Sequence, residues 1–163
     1  MKAVGIILII LCLIAGSGIL YLYFNANVSV AYVDCVASDP MADPDRFAEI
    51  KRQVEQGTFP GVRLSKDPLT NPEDYVFYTW TVKVTNDTFL TAKSVELQIT
   101  TRPEDILIMP DDQEYVIKSK SSGLISVTCL TKRNTHNIRE ATVSWYLGGL
   151  HFPTVPNPIT LGN

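Results

Sequence analysis

The chain has 163 residues, a formal charge of −3 and a pI near 5.3, with Lys and Arg scattered among Asp and Glu instead of gathered in a stripe. That pattern lacks the electrostatic footprint of a nucleic-acid binder, and the length suits one domain plus an anchor, large enough to fold without metal or several disulfides. The 45% hydrophobic content and mean hydropathy of +0.09 conceal an uneven spread, because the first two dozen positions hold a large share of the apolar residues.

Residues 3–24 read AVGIILIILCLIAGSGILYLYF and contain no charge. At about 1.5 Å rise per residue they are long enough to cross a hydrocarbon layer about 30 Å thick. Tyr21 and Tyr23 lie at one end, where amphipathic rings favour the headgroup layer, and Lys2 flanks the other. The positive-inside rule then leaves residues 1–2 in the cytoplasm, residues 3–24 in the lipid bilayer of a plasma membrane as a single-pass signal anchor, and residues 25–163 as an extracytoplasmic domain. The competing reading is a cleaved signal peptide, with 4–14 as its apolar region and Ala15-Gly16-Ser17 at the peptidase site. The run continuing to Leu22 favours the anchor, and Leu11 before Cys12 disfavours a lipobox.

After the anchor, residues 28–36 alternate like a strand, with Val28, Val30 and Tyr32 on one face and Ala31, Val33 and Cys35 on the other. Both faces are fairly apolar, which suits a strand buried on two sides, or one pairing with its sheet while covering a second layer. Asp43, Pro44 and Gly57 are an N-cap, a first helical residue and a C-terminal stop, predicting a short helix over 44–56 whose Phe47, Ile50 and Val54 form one apolar stripe. Residues 58–74 hold four prolines or glycines, Pro60, Gly61, Pro68 and Pro72, and little periodicity, which predicts a long loop.

From residue 75 the period is two. Val76, Tyr78, Trp80, Val82 and Val84 should face a core, and a turn at Asn86-Asp87 leads to a strand carrying Val95, Leu97 and Ile99. Shorter strands are predicted at 106–109, 115–118, 124–131 and 141–147, separated by Pro110-Asp111-Asp112, Ser121-Ser122-Gly123, residues 131–140 and Gly148-Gly149. Turn signals at such spacing predict an all-β sandwich.

The segment YTWTVKVTNDTFLTAKSVELQIT, followed by SGLISVTCL and ATVSWYL, resembles the immunoglobulin-like and fibronectin-type-III-like sandwiches of bacterial envelope proteins over residues 75–147. The resemblance implies a mainly β fold, an immunoglobulin-like antiparallel β-sandwich, from which this chain departs by one short inserted helix and a long loop between its first and second strands, the whole preceded by the transmembrane helix. It implies no functional residue. Domains of this look serve as spacers, adhesive modules or subunits of envelope complexes. In such sandwiches the first and penultimate long strands can lie close together, so Cys35 and Cys129 are expected on neighbouring strands as a possible disulfide, the alternative being two free thiols.

For chemistry the chain offers two imidazoles, His136 and His151, neither in a recognisable motif, and no GxSxG, HExxH or P-loop. Asp39, Asp43 and Asp45 are too few to cage calcium and read first as turn and helix-cap residues. No catalytic, cofactor-binding or metal-ligating residue is therefore assigned. Trp80 and Trp145 read as core residues before a ligand platform. Asn27-Val28-Ser29 and Asn86-Asp87-Thr88 match the glycosylation pattern, with chance the better account. The candidate recognition element is the long loop, through Phe59, Leu64 and Leu69.

The function expected from these residues is a membrane-tethered, non-catalytic interaction or structural module binding an unidentified envelope or membrane protein. The alternatives are a noncatalytic subunit of a larger membrane complex, which the small residues Ala15, Gly16, Ser17 and Gly18 would help by permitting close helix contact, or less favourably a secreted domain or an envelope enzyme.

Overall fold

A computed structural model describes residues 2–25, 27–109, 113–154 and 159–162. The Pro110-Asp111-Asp112 turn and the side chains of Lys2 and Tyr23 lie outside what is described.

Helix α1 (Lys2–Asn25) follows from the unbroken apolar run. Its window Val4–Tyr21 has mean hydropathy 2.6, and none of it is buried by the rest of the chain. Strand β1 (Val28–Ser38) begins after only Ala26 and Asn27. A 3₁₀ turn (Pro40–Ala42) leads to helix α2 (Pro44–Gln56), then come β2 (Val62–Arg63), a second 3₁₀ turn (Pro72–Asp74), β3 (Tyr75–Asn86), β4 (Ala92–Ile99), β5 (Asp105–Ile108), β6 (Tyr115–Ile117), β7 (Ser121–Lys132), β8 (Arg139–Leu147), β9 (Leu150–Pro153) and β10 (Ile159–Leu161).

The strands form two antiparallel sheets, one ordered β1-β3-β7-β5-β2 and the other β10-β8-β4-β6, with β9 also paired to β8. Between them lies the main core, built on Trp80, Val82 and Val84 of β3, Val95 and Ile99 of β4, Ile125 and Val127 of β7, and Val143, Trp145 and Leu147 of β8. The mainly β sandwich expected from the sequence is the fold observed. Of the predicted inward set of β3, Trp80, Val82 and Val84 are buried in the main core and Tyr78 packs against it, whereas Val76 is only half-buried; Trp145 is buried as well.

A second core lies on the outer face of the first sheet. Asp43 accepts from the Arg46 amide at 3.1 Å and Gly57, at φ +69°, takes the left-handed stop, so α2 occupies the predicted residues. Its stripe of Phe47, Ile50 and Val54 packs on Tyr75, Phe77, Ile106, Leu107 and Leu130. Both faces of β3 are therefore covered near its start. Of the two arrangements read for the first strand, β1 takes the second: it is an edge strand paired to β3, with Val28, Val30, Tyr32 and Cys35 against the main core, while Val33 and Val36 on its outer face are exposed. The reason is that α2 covers the β3-β7-β5 part of the sheet and leaves β1 open.

Three strands carried little periodicity, β2, β9 and β10. Gly148 and Gly149, both at positive φ, form the two-residue turn between Leu147 and Leu150 that creates β9.

Candidate functional site

The loop proposed for recognition is mostly folded into the second core. Leu69 is buried there, and Phe59 is half-buried against the same cluster. Gly61 passes so close to the Ile108 carbonyl that an added Cβ would sit 2.2 Å from its oxygen. The Arg63 guanidinium donates to the carbonyls of Ser65 and Lys66 at 2.7 Å, tying the next turn. Of Phe59, Leu64 and Leu69, only Leu64 faces solvent, so the three form no common recognition patch. The loop's apolar residues were taken up in closing the core beneath α2.

The two cysteines of the domain are free and are not on neighbouring strands, contrary to expectation. Cys35 on β1 stands opposite Trp80 on β3, and Cys129 on β7 stands opposite Tyr78 of the same strand. With β3 between them they are at least two strand spacings apart, about 9 to 10 Å, beyond the Cα reach of a disulfide. The open alternative of two free thiols is the one observed.

Near Cys129 the core holds a polar centre that no sequence motif announced. Arg139 and Asp105 form an ion pair at 2.9 Å with neither side chain exposed. Asp105 also accepts from the Arg102 amide at 2.7 Å. The Arg139 guanidinium donates to the carbonyls of His136 and Ile138 and lies 5.5 Å from the Trp80 ring centroid, while its Nε has no partner among the described residues. Trp80 Nε1 donates to the Asn137 carbonyl at 2.8 Å and Tyr78 Oη to that of Thr135 at 3.3 Å, so the β7–β8 connection is held over β3. Burial pushes the Cys129 thiol well above the usual range, and the neighbouring Asp105 charge adds to this. Burial raises the Cys35 thiol too, partly opposed by its contact with Asn137. A thiol held protonated inside a core is a poor nucleophile. The signal that could have found Arg139 is its place in the inward register of β8, two residues before Ala141 and four before Val143.

The histidines do not converge. His136 precedes β8 at one end, and His151 pairs opposite Tyr146 at the other, its ring 5.0 Å from the tyrosine's. Among the described residues no group of three or more His, Cys, Asp or Glu is placed to hold a metal ion. Asp39 and Asp43 have the capping roles read from the sequence, accepting from the amides of Met41 and Arg46.

Two surface features remain. A cleft of about 560 Å³ opens between the sheets, floored by Val95, Leu97 and Val127 and edged by Glu96, Gln98 and Thr128. Among the described residues β5 pairs with residues 129–131 of β7 and the Met109 amide donates to the Thr128 carbonyl, and no strand pairs with the earlier part of β7 on that side. The other feature is the sandwich end nearest α1. Asn86 is fully buried there, its amide donating to the carbonyls of Leu90, Ile117 and Lys118 at 2.7, 3.1 and 3.2 Å. Its Oδ1 accepts from the Thr88 amide and hydroxyl at 3.0 and 2.7 Å. One side chain thus pins the β3–β4 turn to the β6–β7 turn, and it is too buried to serve as a glycan acceptor. The Asp87 amide donates to the Asn27 carbonyl at 2.9 Å, and Phe89, exposed at the tip, has its ring 6.4 Å from that of Tyr21 on α1.

These features define a class, an antiparallel β-sandwich carried on an N-terminal apolar helix. No known family model matches the chain, and no curated protein matches it. Among solved structures the chain is similar to the cupredoxin domain of amoB from Nitrosocaldus yellowstonii, at 13% identity over 81% of this chain and 84% of that one, with a TM-score of 0.35.

Proposed function

We propose that the protein is a membrane-tethered, extracytoplasmic, non-catalytic interaction module. The observation that supports this reading is the continuity of α1 with β1: an apolar helix long enough to span, unburied by the domain, runs into the first strand after two residues. So short a connection confines the domain to the membrane surface. Among the described residues titratable groups do not converge as acid, base or nucleophile, and the buried Arg139–Asp105 pair has the geometry of a core fastening. The partner surface in this reading is the cleft beside β4 and β7, where apolar floor and polar rim suit an extended segment of a membrane or envelope protein.

Two measurements test it. After alkaline extraction of membranes the chain should stay in the pellet with residues 1–17 intact, and protease added outside cells should remove the domain. Recovery of a mature chain starting at Gly18 would instead make it a secreted domain. A photoreactive residue at Gln98, in the cleft, should crosslink a discrete partner on intact cells, and the same residue at Glu55, on the solvent face of α2, should not. Equal crosslinking from both positions would remove the cleft from the reading.

A further inference from the structure

The end of the sandwich nearest α1 differs from the rest of the domain in both charge and shape. Strand directions place four turns or strand starts there: the first residues of β1, the β3–β4 turn, the β6–β7 turn and the Gly148-Gly149 hairpin, because Val28 pairs with Asn86, Ala92 with both Ile117 and Leu147, and Asn86 with Ser121. Lys83, Lys93, Lys118 and Lys120 lie in these turns or within three residues of them, all exposed. By the same measure two carboxylates stand with them, Asp87 and Glu114, the second accepting from the Ser94 hydroxyl at 3.0 Å, although the whole chain is net −3 and carboxylates outnumber bases elsewhere in the domain. The Lys120 ammonium donates to the Asp87 carbonyl, which ties one lysine to the tip of the β3–β4 turn.

At the centre of this basic end projects Phe89, 61% exposed. A phenylalanine at a turn tip serves no core, and Asn86 with Thr88 hold that turn rigidly in place from behind. Its ring lies beside Tyr21, the last residue of the apolar window. Whichever way α1 crosses, the domain follows its C-terminal end, so Phe89 stands at the depth of the headgroup layer on that side.

We infer that this end of the sandwich is a lipid-docking face: Phe89 inserts into the interface of the bilayer that holds α1, and Lys83, Lys93, Lys118 and Lys120 meet its anionic headgroups. An aromatic ring gains at the interface, and lysines within a Debye length of an anionic surface are attracted to it. The consequence is an upright domain with a fixed orientation, its cleft held at a set height above the membrane. The inference rests on the anchor reading of α1.

The test uses the full chain, with Trp placed at Phe89 or, at the far end, at Lys132, reconstituted into vesicles of phosphatidylcholine and phosphatidylglycerol that carry brominated acyl chains. Trp80 and Trp145 are buried in the sandwich and serve as a constant background. F89W should show a blue-shifted added emission that is lost to bromine quenching, whereas the K132W emission stays at the wavelength of a solvated indole and is not quenched. Adding K93E and K118E to F89W should reduce the quenching, as should vesicles of phosphatidylcholine alone. F89W that floats with the vesicles yet is no more quenched than K132W overturns the docking face while sparing the anchor. Failure of every variant to float overturns the anchor and the inference with it.

Discussion

At the scale of single residues, the strongest expectations concern groups whose partners are buried with them. Arg139→Met leaves the Asp105 carboxylate without its guanidinium in a site with no solvent, which should cost about 3–5 kcal/mol. Replacing both, as R139M/D105L, should recover much of that loss in urea unfolding, because the unpaired charge is gone. Asn86→Ala removes a donor to the carbonyls of Leu90, Ile117 and Lys118 and the acceptor of the Thr88 amide, and should cost about 2–3 kcal/mol. The cysteines give a pH test. Folded Cys129 and Cys35 keep their protons where the unfolded chain, with thiols near the ordinary 9.0, has lost them. Their contribution is complete below that pH and declines as pH rises past it, by at most about 1.4 kcal/mol per pH unit for each thiol. Urea midpoints should therefore fall between pH 8 and pH 10, and fall less in Cys129→Ala; equal slopes would show a thiol that ionises as freely folded as unfolded. With Cys12 replaced by alanine, alkylation of the denatured, unreduced protein should modify both Cys35 and Cys129.

At the scale of elements, α2 was readable in full because its signals are local: a cap, a proline, a stop and an i, i+3, i+7 stripe are all set within the fifteen residues from Asp43 to Gly57. Asp43→Ala should lower stability by about 1 kcal/mol through the lost cap, and Ile50→Ala by about 2–5 kcal/mol through the cavity left against the sheet. Gly61→Ala should be more damaging than Gly57→Ala, since the first meets a backbone oxygen that cannot withdraw and the second meets only strain at positive φ. Thermal unfolding by circular dichroism ranks these variants directly. The long loop was misread because absent periodicity shows only that a segment is neither helix nor strand. It does not show whether the hydrophobes in it are spare, and Leu69 had a place in the core that only α2 and β3 together create.

At the scale of the whole molecule, helix and sandwich meet where Tyr21 lies beside Phe89 but share no core, so they should be energetically separable. A chain lacking residues 2–25 should be soluble and unfold at the same urea midpoint as the detergent-solubilised parent, since none of the apolar window is buried by the domain. A large drop in midpoint would show that α1 is part of the fold. The apolar helix, the class of fold, α2 and the inward faces of β3, β4 and β8 were determined by the sequence itself, through charge-free length and through periods of 3.6 and two that act over neighbouring residues. Tertiary structure alone decided that β3 stands between Cys35 and Cys129, that β1 is an edge, that Arg139 meets Asp105, and that Phe89 and four lysines share the end nearest Tyr21. Each of these depends on which strands become neighbours, and strand order is set by packing between residues far apart in the chain, where periodicity carries no information about partners.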